Sequence, residues 1–258
     1  MHTLESLLKK VNNSKSLDFG TIINHTIELF KKIWLKGFLM VLIMVVFAVI
    51  ISFLFSLIGL TSTNNFFINN NFDMDAFFSQ YAGNVLFSVP QTILLSAITI
   101  AFVGAFYQIC RQVDSGGNVV DDYFYFFKKE YFSKLLMLGI IYTGIATLAQ
   151  LMFFIPYIYV FVPLSYFSVV FANNPNLSEM DIVKASFAIG NKKWLITFGT
   201  MFVAGILGML GMIACFIGVL FTLSIIYLPV FFIYKEVIGF DNTSEIDQIG
   251  AGNDLDYQ

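Results

Sequence analysis

Residues 135–172 read LLMLGIIYTGIATLAQLMFFIPYIYVFVPLSYFSVVFA, 38 positions without an acidic or basic side chain. A helix crosses roughly 30 Å of hydrocarbon in about 20 residues, so this run is too long for one straight span and long enough for two short ones. Pro156, which cannot donate to a helix ladder, marks the turn between them. The choice between one crossing and two decides the fold, because it sets the side of the membrane on which everything after it lies.

The run of 40 residues from Leu195 to Tyr234 poses the same choice, with Gly205, Gly208, Gly211 and Gly218 weakening the helix around a turn near Cys215. Upstream, Gly37 to Leu60 and Val85 to Cys110 each supply one apolar run of spanning length, separated by an Asn-rich connection without Lys or Arg. Taking both long runs as hairpins gives spans at about 37–60, 85–110, 135–155, 157–172, 194–213 and 216–235, which is six spans in three hairpins. Segment 1–17 precedes the membrane domain of residues 18–236.

Charge tests the count. Of the 14 Lys and Arg residues, six precede the first span, four lie between spans two and three, three between spans four and five, and one follows the sixth. On the hairpin reading all of them fall on one face, and the positive-inside rule places that face, with both termini, in the cytoplasm. Composition agrees with a polytopic chain: 58% of residues are hydrophobic and 12% charged, against about 25% charged in soluble domains. No signal peptide pattern opens the chain, so the first span serves as its own insertion signal. Cys110 is expected at the cytoplasmic end of span two and Cys215 near an outer turn, so the two are not expected to be bridged.

Three stretches repeat a Lys-Lys-aromatic pattern just before a hairpin: LFKKIW at 29–34, FFKKEY at 126–131 and NKKWL at 191–195. Each follows or contains helical apolar spacing, as in Phe19, Ile22, Ile23, Ile27, Phe30 and Ile33, or in Ile182, Val183 and Phe187. The expected architecture is therefore all-α, with each hairpin preceded by a cytoplasmic amphipathic helix lying at the membrane surface. Lys31, Lys32, Trp34, Lys128, Lys129, Tyr131, Lys192, Lys193 and Trp194 are the expected interface anchors. A lysine near an anionic leaflet gains on the order of 1 kcal/mol, and Trp and Tyr favour the same depth.

Helix packing in lipid relies on small residues, and Ala97/Ala101/Ala105, Gly139/Thr143/Thr147 and Thr200/Ala204/Gly208 each form a stripe at four-residue spacing. Gln108, Gln150 and Tyr166 are polar residues within spans that could line a path for an amphiphile or bond across helices. Breaks at Pro156, Pro163 and Pro229 could open a cavity between the hairpins.

Chemistry is scarce. No Asp, Glu, His, Lys or Arg lies inside a span, so intramembrane protease and ion-coupled pump sites have no candidate residues. His25 reads as a solvated helix face, and Asp114, Asp121 and Asp122 read as loop acidity or, at most, an interfacial cation site. No catalytic residue, metal ligand or cofactor is expected, and no nucleic-acid partner. The segment 237–258 is acidic, lacks apolar periodicity and reads as a disordered cytoplasmic tail.

The segments DFGTIINHTIELFKKIW, FFIPYIYVFVPLSYF, EMDIVKASFAIGNKKWLITF and CFIGVLFTLSIIYLPVFFIYKE resemble the pattern of the glycerophosphoryl diester phosphodiesterase membrane-domain superfamily and related bacterial multi-pass proteins, over roughly residues 18–236. The resemblance implies a six-span membrane domain, without the catalytic barrel some members carry, and it transfers no catalytic residue. The expected function is a non-enzymatic protein of the bacterial inner membrane that binds a protein partner or lipid, such as an accessory subunit of an envelope complex. The alternative is a transporter or flippase-like factor for a lipid or small amphiphile. A polar-lined cavity reaching Gln108, Gln150 or Tyr166 would favour that alternative.

Overall fold

The computed structural model describes residues 3–59, 74–152, 154–214 and 217–240. All regular structure among them is helical. Six helical segments are long and apolar enough to cross a bilayer: Phe19–Leu57, Val89–Asp114, Lys129–Leu151, Ile155–Asn173, Trp194–Met212 and Gly218–Val237. The chain is a multi-pass membrane protein in which both long apolar runs are hairpins.

A short helix α1 (Leu4–Asn13), unforeseen in the sequence, opens the chain, capped by the Thr3 hydroxyl that accepts from Ser6 N at 3.3 Å. Its apolar side buries Leu7 and Val11. Helix α2 (Phe19–Leu57) starts at Asp18, whose carboxylate accepts from the backbone N and hydroxyl of Thr21 at 2.7 and 2.8 Å. It then runs unbroken for 39 residues, about 58 Å at 1.5 Å per residue. The expected joint between a surface helix and span one does not exist, because LFKKIW lies within a continuous helix. No proline interrupts this stretch, and the missing Cβ of Gly37 makes room for the Ser224 side chain, so packing favours a straight helix there.

The expected second span begins later than Val85. Helix α3 (Met74–Phe87) precedes it, and α4 (Val89–Asp114) carries Pro90 in its first turn, where the absent N–H costs no hydrogen bond. The second expected surface helix is also absent. Residues 125–127 form a single 3-10 turn, and α5 (Lys129–Leu151) starts directly after it. Here Tyr123 and Phe126 turn into the core while Phe124 and Phe127 stay exposed, so the aromatic spacing encodes separate packing contacts. Helices α6 (Phe154–Ser165) and α7 (Phe167–Asn173) form the fourth span, with Pro163 inside α6 and a break at Tyr166.

The third surface stretch does form a separate helix, α8 (Glu179–Lys192), and the Ser178 hydroxyl accepts from Asp181 N at 3.2 Å as its spacing suggests. Its apolar face is covered by protein: α8 packs against α6, α7 and α1. Ile182, Ala185, Ile189 and Gly190 are buried, and a Cβ on Gly190 would stand 2.6 Å from Pro163 Cα. The amphipathic pattern that sequence assigns to a lipid surface is satisfied by neighbouring helices.

Helix α9 (Trp194–Met209) continues as a 3-10 stretch to Ala214. The sixth span assembles from α10 (Ile217–Thr222), a 3-10 segment Leu223–Tyr227 and α11 (Leu228–Val237). The expected turn at Cys215 and the expected tail from residue 241 onward lie outside the described residues, while at the start of that tail Val237 ends α11 and is buried with Ile238.

The small stripes meet as packing partners. A Cβ on Gly139 would lie 2.8 Å from Ile93 O and 2.9 Å from Ala97 Cβ, so α5 approaches α4 at backbone distance. One turn further, Ser96 Oγ and Thr143 Oγ1 are hydrogen bonded at 3.1 Å. Within each hairpin the second arm is the inner one. The most apolar windows of spans two, four and six are 61%, 56% and 50% buried, against 17%, 28% and 33% for spans one, three and five. Three hairpins thus share one arrangement, with outer first arms and inner second arms.

Candidate functional site

A partly open cavity of about 300 Å³ lies between the three inner arms. Its wall combines Thr99, Val103 and Tyr107 of α4, Ser165 and Ser168 of α6 and α7, and Tyr227 and Val230 of the sixth span, with Tyr142 and Met201 contributed by outer arms. These residues fall near the middle of their spans by position in the chain. The cavity lies beside Pro163 and Pro229, where the fourth and sixth spans depart from regular helix.

The lining is apolar with interspersed hydroxyls and no charged group. Tyr107 Oη donates to Tyr227 O at 3.0 Å, joining α4 to the sixth span at the cavity wall, and its ring stacks on Phe231 at 6.1 Å. Ser165 Oγ donates back to Val162 O at 2.7 Å, a satisfied helical hydroxyl next to Pro163. Such a surface suits an uncharged molecule with an apolar body and one or two hydrogen-bonding groups.

Gln108, Gln150 and Tyr166 do not line this cavity. The Gln108 amide donates to Ala172 O, and Tyr166 is fully buried with its hydroxyl 2.6 Å from Thr197 Oγ1. Gln150 sits near the end of α5, where its carbonyl accepts from Tyr81 Oη at 3.2 Å. The structure does not bring the three together, and the polar path drawn through them is replaced by a hydroxyl-lined cavity elsewhere. The signal for the true lining was present: Ser96, Thr99, Val103 and Tyr107 recur at helical spacing on one face of α4, as do Ser165 and Ser168 on the fourth span.

At the basic end of the bundle, lysines tie segment to segment. Lys36 Nζ meets Asp121 at 2.5 Å, Lys235 Nζ meets Asp114 at 2.6 Å, and Lys134 Nζ donates to Pro175 O and Leu177 O at 2.6 and 2.8 Å. Tyr123 Oη donates to Lys36 O at 3.0 Å, and burial, with Asp121 nearby, pushes its hydroxyl up to about 12. Asp114 and Asp121 are therefore each held by a different lysine, and among the described residues no three His, Cys, Asp or Glu side chains gather as a metal site.

The anchor residues divide by role. Lys31, Lys32, Lys129 and Lys192 are exposed, and Lys128 Nζ lies 4.5 Å over the exposed Tyr125 ring. Trp34 is 44% exposed with its ring 6.0 Å from Phe221. Lys193 differs: it is buried, and its ammonium donates to Lys15 O, tying the α8–α9 junction to the linker after α1. Burial, reinforced by the charge of Lys192, lowers its pKa. Trp194 Nε1 donates to Tyr159 O at 3.0 Å, and Tyr131 packs among Tyr125, Phe126 and Phe171. These three positions serve internal contacts of the bundle as well as its edge.

No protein-family model, curated protein or solved structure matches this chain.

Proposed function

We propose that this is a non-enzymatic protein of the bacterial cytoplasmic membrane that holds a lipid or small uncharged amphiphile in the cavity between its three inner arms. The carrying observation is the cavity of about 300 Å³, lined by Tyr107, Tyr142, Ser165, Ser168 and Tyr227 among apolar side chains. That volume is at the lower end of small-molecule sites, fitting one small amphiphile or one chain of a larger lipid. The concentration of lysines at one end supports cytoplasmic placement of both termini. The sequence resemblance to the glycerophosphoryl diester phosphodiesterase membrane-domain superfamily supports a membrane role and adds no catalytic group.

The test is native mass spectrometry of protein released from lipid nanodiscs, comparing the wild type with Thr99→Leu/Ser168→Leu, which fills the cavity. A neutral amphiphile retained by the wild type and lost from the variant is the expected result. An empty wild type, or equal retention by both, overturns the reading. A stoichiometric protein partner retained instead would make the chain an accessory subunit.

A second reading, transport or flipping of the same amphiphile, is favoured by the breaks around the cavity at Pro163, Tyr166 and the 3-10 segment Leu223–Tyr227. Translocation of a labelled lipid by reconstituted protein, abolished in the filled variant, distinguishes transport from static binding.

A further inference from the structure

A polar pocket of about 200 Å³ opens at the basic end, between α2, the last turn of α4 and α11. Helix α2 lines it with His25, Glu28 and Lys32, which share one face at three- and four-residue spacing. Opposite stand Asp114 and Lys235, joined at 2.6 Å, and Phe232, whose ring lies 5.4 Å from that of His25. Glu28 and Lys32 are exposed and, although one turn apart, enter no ion pair among the described residues. A lysine ammonium has three donors, and Asp114 takes one of those on Lys235.

Sign and depth together describe a ligand. Lys32 and Lys235 balance Glu28 and Asp114, so a molecule carrying both signs finds a partner for each, whereas a simple anion meets the two acids as well. Lys32 lies five residues before Gly37, Asp114 four after Cys110 and Lys235 directly after Tyr234, each at the end of an apolar run. At 1.5 Å per residue these three positions stand within about 8 Å of the hydrocarbon, the depth of lipid headgroups. Glu28 is one turn farther from the membrane, about 6 Å beyond Lys32 on the same helix face. A phosphate between the two lysines therefore leaves Glu28 on its outer side, in reach of an attached cation. Glycerol, phosphate, ammonium is the inside-to-outside order of an ethanolamine headgroup.

We infer that this pocket binds the phosphoethanolamine headgroup of a membrane lipid, its phosphate against Lys32 and Lys235 and its primary ammonium against Glu28. Tight binding is not required: headgroups surround the bundle, so a preference of a few fold decides which one fills the pocket. The site is independent of the central cavity, which no residue of α2 lines.

Native mass spectrometry tests this on the full chain released from nanodiscs of equimolar phosphatidylethanolamine, phosphatidylcholine and phosphatidylglycerol. The wild type is expected to retain phosphatidylethanolamine about two- to fivefold over either competitor, the scale of one exposed charge pair. Glu28→Gln is expected to lose that preference and to retain more phosphatidylglycerol, because the pocket becomes net positive. Lys32→Gln is expected to lose the preference without gaining phosphatidylglycerol, an asymmetry that misfolding would not produce. Equal retention of the three lipids by the wild type, enrichment of another lipid, or a preference unchanged by both substitutions overturns the proposal. Binding of free glycerophosphoethanolamine added to the discs, without enrichment of the lipid, would assign the pocket to a soluble ligand and overturn it equally.

Discussion

Lys235 Nζ stands 2.6 Å from Asp114 Oδ2, tying the last turn of α11 to the last turn of α4. Both helices are inner arms, so this pair clamps the basic end of two of the helices that line the cavity. The side chains are 38% and 22% exposed, which leaves the interaction open to screening. Asp114→Asn is expected to cost about 0.5–1 kcal/mol at low salt and less in 1 M NaCl. A double-mutant cycle with Lys235→Met, read by chemical denaturation in detergent, checks this. Coupling that is unchanged by salt would contradict a screened ion pair.

Glycines separate tight contacts from open ones. At Gly190 a Cβ meets Pro163 Cα at 2.6 Å, and at Gly139 it meets Ile93 O at 2.8 Å, whereas at Gly144 nothing lies within 4 Å. Gly190→Ala and Gly139→Ala are expected to destabilise the bundle by about 1–3 kcal/mol through overpacking. Gly144→Ala is expected to be neutral or to stabilise by up to about 1 kcal/mol through helix propensity. Thermal melts of the three variants in one detergent give the comparison, and equal effects at all three would contradict the close α6–α8 and α4–α5 contacts.

These two glycines also mark how far sequence reading reached. Hairpin count and small stripes follow from length and periodicity, and the structure has six spans with Gly139 against Ala97, whereas the break expected at Pro156 falls before it, leaving Pro156 in the first turn of α6. What covers an amphipathic face is a tertiary fact. The stretch at 179–192 has the spacing of an interfacial helix, yet Gly190 lies on Pro163 and Lys193 reaches Lys15 O. The aromatic stretch at 123–132 mimics a helix because Tyr123 and Phe126 are buried by separate contacts across a 3-10 turn. Hydroxyls are harder still to sort, since Tyr166 and Tyr107 look alike in sequence while only Tyr107 reaches the cavity.

Two groups outside the spans each make stability rise with pH, in two separate ranges. Burial and Lys192 lower the Lys193 pKa below its usual 10.5, so the unfolded chain binds that proton more tightly than the folded one. Stability is expected to rise as pH climbs through the interval just below 10.5, and Lys193→Met is expected to remove that rise. Asp18 is shifted down by the Thr21 backbone N–H and hydroxyl. Its contribution is complete above 3.8 and is lost as pH falls through the lower folded value, a loss that Asp18→Asn abolishes. Denaturation midpoints measured across both ranges test that the slope is positive in each.

Cys110 is fully buried on α4, so its thiol cannot report topology in the folded protein. Burial also predicts that a maleimide reagent leaves Cys110 unmodified until the protein is denatured. Topology is better read from exposed positions at opposite ends of the bundle: Ser16, in the linker after α1, and Met152, 69% exposed at the end of α5. In a Cys215→Ser background, Ser16→Cys is expected to react with an impermeant maleimide only after the cytoplasmic face is opened. Met152→Cys is expected to react from outside in intact spheroplasts. Because α5 is a single crossing that begins at Lys129, on the same end as the Lys36–Asp121 pair, reaction of both thiols from one side would overturn the orientation and the hairpin count together.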